Sequence, residues 1–161
     1  MTIEDTFRGA KNGYIYSYAY LTMVAEEIGM ERAIALQTKM CEARGAIDGK
    51  TIKEQVEIKD FDAKAAASIA ENYVGSIGMR LEVIEESPQK VSFKVARCPL
   101  YEAAQELKLD AETIEHLCRA GPVRNMDSMV KQLNPILDYE LRKFRSSEEN
   151  FCEEVIVLGK P

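Results

Sequence analysis

Four cysteines, at positions 41, 98, 118 and 152, and a single histidine, His116, are the side chains of this chain best suited to act as nucleophiles or soft metal ligands. Thiolates bind zinc well, and Cys118 with Cys152, joined by Cys98 or a carboxylate such as Asp127 or Glu115, would make a sulfur and oxygen ligand set. The spacing contains no C-x-x-C or H-x-x-x-H pair, so buried structural thiols are the competing reading. Cys98 precedes Pro99 where a strand gives way to a helix. The free N–H groups of a helix start create a positive potential there that favours a thiolate, unless Cys98 only seals the junction as a small apolar group. His116 and Cys118 stand two apart on one expected helix and point in nearly opposite directions, which disfavours a local dyad. Glu115 precedes Arg119 by four residues, the spacing of a solvated ion pair. Arg119 and Arg124 flank Gly121-Pro122 and together suit a ligand carboxylate, although surface arginines beside a turn are commonplace.

Aromatic residues offer a second set. Tyr14, Tyr16, Tyr18 and Tyr20 alternate, but the residues around them recur at helical spacing. At about 100° per residue, Tyr14 and Tyr18 share one face and Tyr16 and Tyr20 share nearly the opposite one. The second pair is expected to line a pocket or a subunit contact, or to cover an ordinary helix pair as half-buried aromatics.

The elements that must position these residues follow from periodicity. Phe7, Ala10, Tyr14, Tyr18, Leu21, Ala25 and Ile28 form one helix stripe, opened by Thr2 with Asp5 in the manner of a capping box and stopped at Gly29. A second helix is expected over 30–46, with Gly45 weakening its last turn, then a charged link over 52–58. Asp62 caps a third helix reaching 77. The period then changes to two: 79–84 and 91–95 read as a hairpin turning at Ser87-Pro88-Gln89. Helices over 100–107, 111–119 and 124–133 follow, and a second hairpin joins 137–141 to 151–158 through a polar turn at 146–150. Two hairpins separated by helices imply an α+β fold, an antiparallel four-stranded sheet with helices packed on one face. Such a sheet brings Cys98, Cys118 and Cys152 toward one end.

At 161 residues the chain reads as one domain, 1–161, with a helical part over 1–78 and a hairpin-helices-hairpin part over 79–161. It is 46% hydrophobic, enough for a core without disulfide staples. The 27 acidic against 21 basic residues leave a net charge of -6, the wrong sign for neutralising phosphates, so a nucleic-acid partner is not expected. No apolar run approaches the ~20 residues of a membrane helix, and no signal-peptide core is evident; a soluble cytoplasmic protein is the expectation. Phosphate-binding loops, G-x-S-x-G elbows, H-E-x-x-H helices and EF-hand loops are absent.

Cys98-Pro99-Leu100, Cys118, Asp127, Asn134-Pro135 and Cys152, in this order over roughly 78–158, resemble the pattern of the L-2-amino-thiazoline-4-carboxylate hydrolase-like family. Where that pattern has a Thr-Lys-Thr-like strand and Gly-Asp, this chain has Arg142-Lys143-Phe144-Arg145 and Glu148-Glu149-Asn150. The resemblance implies hydrolytic opening of a cyclic amidine-like C–N bond. In that reading Cys98, or a zinc held by Cys118 and Cys152, activates the nucleophile, Asp127 holds or orients, and Arg119 or Arg124 receives a carboxylate. The layout is also similar to vinyl-4-reductase-type ligand-binding domains and transport-protein-particle subunits. That likeness implies the alternative, a non-catalytic module that holds a small, largely apolar molecule near Tyr16 and Tyr20, with zinc at the cysteines, and acts through a partner chain. The Tyr- and Met-rich helices point to a homodimer.

Overall fold

The computed structural model describes residues 2–147 and 150–159. Glu148 and Glu149 of the expected polar turn lie outside the described residues. In chain order the elements are α1 (Ile3–Ile28), α2 (Met30–Gln55), α3 (Ala63–Gly75), β1 (Glu82–Glu86), β2 (Lys90–Val95), α4 (Pro99–Glu106), α5 (Ala111–Ala120), α6 (Pro122–Leu133), β3 (Leu137–Lys143) and β4 (Cys152–Leu158). The fold is α+β, and the two hairpins share one antiparallel sheet of order β1-β2-β4-β3.

Local sequence explains most of the boundaries. Thr2 and Asp5 form the reciprocal capping box: Asp5 N donates to Thr2 Oγ1 at 3.1 Å and Thr2 N to Asp5 Oδ2 at 3.0 Å. Gly29 ends α1 at φ +88°, a conformation that β-carbons resist, and α2 starts on the next residue. Asp62 caps α3 by accepting from Ala65 N at 2.8 Å. Ser87 and Lys90 close the first hairpin, with Ser87 N donating to Lys90 O at 2.7 Å.

Several boundaries shift by two residues, α3 ending at Gly75, α6 starting at Pro122 and β3 running to Lys143, and two differ by more. The second helix runs to Gln55 rather than stopping near residue 46. Gly45 and Gly49 are not its end but the place where α6 crosses it: a Cβ on Gly45 would stand 2.1 Å from Asn125 O, and one on Gly49 2.4 Å from Met129 O. Tertiary approach of two helices sets these glycines, and it overrides their poor helix propensity. The first strand starts at Glu82, not at Met79. Met79 sits in the turn after α3, its N donating to Val74 O at 3.2 Å while its side chain is buried in the core.

One core joins the helices to the inner face of the sheet. Val91, Phe93 and Val95 of β2, Leu137, Tyr139 and Leu141 of β3 and Ile156 of β4 are buried together with the alanine-rich face of α3, α4 residues Leu100 to Ala104 and α6 residues Met126 to Leu133. The register places Val95 opposite Cys152, Phe93 opposite Glu154 and Tyr139 opposite Ile156. An acidic side chain therefore sits in phase with an otherwise apolar strand face. No helix among the described residues is long and apolar enough to cross a membrane.

Candidate functional site

A cavity of about 400 Å³ lies between the helical layer and the inner face of the sheet, within the range of small-molecule sites. Tyr14 and Tyr18 of α1 wall one side with rings 6.4 Å apart, and Tyr101 and Phe144 meet edge to face at 6.1 Å on another. Its surface is mainly apolar, and all four cysteines reach it: Cys41 from α2, Cys98 from the start of α4, Cys118 from α5 and Cys152 from β4.

The charged groups and their hydrogen-bond partners gather in two places, while Ser17, Gln37 and Ser76 stand elsewhere on the lining and Gln37 Oε1 is buried without a hydrogen-bond partner among the described residues. At the sheet, the Tyr139 hydroxyl donates a very short hydrogen bond to Glu154 Oε2. Burial raises the Glu154 carboxyl above the ordinary carboxylate range, while the Tyr139 hydrogen bond and the Arg145 charge hold it back. Burial and Glu154 push the Tyr139 phenol well above its usual value. No other hydrogen bond reaches Glu154 among the described residues, so its second oxygen can accept from a molecule in the cavity. Arg145 is 4% exposed and serves as the local clamp. It donates to Val95 O at 2.9 Å, Ala96 O at 2.7 Å and Cys152 Sγ at 3.4 Å, and its guanidinium lies 4.5 Å from the centre of the Tyr101 ring.

The second polar place joins α2, α3 and α6. Tyr73 donates to Asp48 Oδ2 at 2.7 Å, Arg44 pairs with Asp48 at 2.7 Å, and Asn125 Nδ2 donates to Cys41 O at 3.1 Å. Burial, followed by Asp48, pushes the Tyr73 phenol up to about 12. These groups satisfy one another, whereas Glu154 keeps unused acceptor capacity.

Thiol chemistry is set by the same burial. The Cys98 thiol is pushed up to about 12, because desolvation outweighs the α4 N–H groups of Tyr101 and Leu100 and the charge of Arg145. The positive helix start anticipated at Cys98-Pro99 is present, but the low-dielectric surroundings win. Burial also raises the Cys118 thiol well above its usual value, reinforced by Cys98, Cys152 and Glu154, and raises Cys41. Cys118 and Cys152 do share the cavity, yet no group of three or more His, Cys, Asp or Glu side chains able to hold a metal is found among the described residues.

Several other anticipated site residues stand outside the cavity. Asp127 is 6% exposed and binds structure rather than the cavity: Oδ1 accepts from Tyr139 N at 3.1 Å, and Oδ2 accepts from Lys131 at 2.8 Å with Arg124 at 3.5 Å. Arg124 is held by Glu42 at 2.6 Å. Arg119 pairs with Glu115 at 2.7 Å and donates to Leu141 O at 2.9 Å, tying α5 to β3. Tyr16 and Tyr20 are 79% and 71% exposed on the outside of α1, and the cavity takes Tyr14 and Tyr18 instead. The helix phase decides this, since the face carrying Phe7, Tyr14 and Tyr18 is the one that meets the core. His116 is exposed. Glu154 and Tyr139 of the cavity wall and Arg145 beside them are not among the site residues that the sequence singles out. The available signal was Glu154 falling in strand phase with Cys152 and Ile156, and Tyr139 falling in phase with Leu137 and Leu141.

A family model described as L-2-amino-thiazoline-4-carboxylic acid hydrolase matches residues 10–135 of the chain. The chain belongs to this family. The match takes in α1 and the first hairpin and ends before β3, so the family region begins earlier and stops sooner than the 78–158 read from the cysteines. Tyr139, Arg145, Cys152 and Glu154 thus lie beyond the matched part of the family. Among solved structures, the phenol-responsive sensory domain of the transcription activator PoxR, crystallised with phenol, superposes with a TM-score of 0.64 at 11% identity. That superposition covers 90% of this chain and 74% of the sensory domain, and it shows a shared fold. No curated protein matches the chain.

Proposed function

We propose that this member of the family binds a small, mostly apolar molecule in the cavity and reads it through one hydrogen-bonding group placed against Glu154 and Tyr139. The observation that carries this reading is the mainly apolar cavity of about 400 Å³, at whose sheet side Glu154 keeps a free acceptor. The neutral thiols around it add soft, apolar wall rather than nucleophiles. The solved sensory domain of the same fold was crystallised with phenol, a molecule of this kind. The free thiols suit a reducing compartment such as the cytoplasm.

The test is calorimetric titration of phenol, aniline and cyclohexane-methanol into the purified protein, repeated with Glu154→Leu and Tyr139→Phe. Saturable binding that both substitutions weaken supports the reading. No saturable binding of any of the three, or binding indifferent to both substitutions, overturns it.

One observation favours a second reading, hydrolytic ring opening of the cyclic amidine-like L-2-amino-thiazoline-4-carboxylate, the substrate that the family description names. Glu154 carries a raised carboxyl at the cavity wall; as a carboxylate it can take a proton from water attacking the amidine carbon and pass it to the leaving ring sulfur, which frees the thiol of N-carbamoyl-cysteine. Multiple turnover of 2-amino-thiazoline-4-carboxylate to N-carbamoyl-cysteine, abolished by Glu154→Gln, supports it; absence of turnover by folded protein removes it.

A further inference from the structure

Beyond the cavity, the outer face of α1 is unexplained by this chain. Gly9, Gly13, Tyr16, Tyr20 and Met23 follow one another at spacings of four, three, four and three, the seam of a helix that packs on another helix. The three large members are 79%, 71% and 66% exposed, and no described residue covers them. The two glycines are equally unaccounted for. A Cβ added at either would meet no atom within 4 Å, unlike Gly45 and Gly49, where α6 demands the space. Glycine in the middle of a 26-residue helix weakens it without any return inside the chain.

We propose that α1 pairs antiparallel with α1 of a second copy about a two-fold axis passing between residues 14 and 15. In this register Tyr16 lies over Gly13 of the other copy and Tyr20 over its Gly9, and Met23 lies over its Thr6. Each large side chain meets a small one, and an isologous contact repeats the match on both sides of the axis. The pairing rests on this match of large against small side chains and not on charge, since both ends of α1 are acidic, with Glu4 and Asp5 in its first turn and Glu26 and Glu27 in its last. Taking about 200 Å² for each large side chain, the exposed parts of Tyr16, Tyr20 and Met23 alone contribute roughly 850 Å² over two copies, most of the about 1,000 Å² that a specific interface needs.

Sedimentation equilibrium of the full chain at micromolar concentration tests the proposal, with circular dichroism confirming that each variant is folded. The wild type is expected to be a dimer. Gly13→Leu removes the seat for Tyr16 while improving helix propensity at an open site, and Tyr20→Ser removes a knob; each is expected to weaken the dimer at least ~100-fold. A wild type that is monomeric at ~100 µM overturns the interface. A dimer indifferent to both substitutions places self-association elsewhere, and sensitivity to Tyr20→Ser alone overturns the antiparallel register; either outcome refutes the proposal.

Discussion

Asp127 offers the sharpest division between chemistry and architecture. Its carboxylate is buried, and Oδ1 accepts the backbone N–H of Tyr139 at 3.1 Å, holding the C-terminal half of α6 against β3. Asp127→Ala leaves that buried N–H unpaired and strips Lys131 and Arg124 of their partner. An unsatisfied buried backbone group costs about 1–3 kcal/mol, and hydrogen bonds to a charged acceptor about 1.5–3 kcal/mol. Lys131 and Arg124 are 39% and 46% exposed, so water replaces most of what their ion pairs contribute. The expected loss is therefore about 2–4 kcal/mol, nearly all from the Tyr139 N–H. For a chain of this size that is a fall in Tm of about 5–12 °C. Asp127→Asn keeps an acceptor at Oδ1 and removes only the charge, so its expected cost is about 1 kcal/mol or less. Urea unfolding followed by circular dichroism measures both, and titration with a cavity ligand on the same samples measures binding. Unfolding of Asp127→Ala at the wild-type midpoint would refute the structural role, and loss of ligand affinity or turnover in a stable Asp127→Asn protein would place the carboxylate in the chemistry rather than the frame.

Other expectations rest on the same geometry. Because the Glu154 carboxyl is raised in the folded state, the native protein holds its proton to higher pH than the unfolded chain. Its unfavourable contribution is absent in acid and grows as pH rises through and above the ordinary carboxylate range. Glu154→Gln should thus gain stability relative to wild type as pH rises from 4 to 7, read from paired thermal melts; a difference independent of pH would contradict the burial assigned to this group. Cys98, pushed up to about 12, should react with iodoacetamide in the native state far more slowly than in urea, as peptide mapping of labelled thiols will show. Gly45→Ala forces a Cβ to 2.1 Å from Asn125 O and should cost about 3 kcal/mol despite alanine's better helix propensity, measured by urea midpoint. Arg145→Met removes the donors to Val95 O and Ala96 O and should cost about 2–4 kcal/mol, with a further upward shift of the Glu154 titration seen by carboxyl NMR.

Much of the frame is legible in the residue order. The caps at Thr2, Asp62 and Asp110, the stop at Gly29 and the turn at Ser87 depend on contacts within a few residues, and local sequence carries such contacts in full. The period-two stretches around Phe93, Tyr139 and Ile156 likewise state which side of a strand is buried, and with two hairpins they imply the shared antiparallel sheet. The family, too, is readable from the cysteines and their neighbours, although the matched region proves to be centred on the helices.

Function-bearing details depend on distances that sequence does not contain. Gly45 reads as a weak helix end until α6 is seen to cross it. Arg119, Arg124 and Asp127 have the residue types of a carboxylate site, but each is already engaged: Arg119 with Glu115 and Leu141 O, Arg124 with Glu42, Asp127 with the Tyr139 N–H. Cys98 has the local field of an activated thiol, and only the packing of α1, α5 and β4 around it removes the water a thiolate needs. Glu154 is one more acid in an acidic chain until β4 is placed between β2 and β3. The pairing then turns it inward with Cys152 and Ile156 and sets Tyr139 within its reach. Sequence by itself determined the elements, their faces and the family, because short-range backbone and periodicity effects suffice for those. The tertiary structure alone decided which polar groups remain unsatisfied at a cavity, because burial and pairing are properties of segments far apart in the chain.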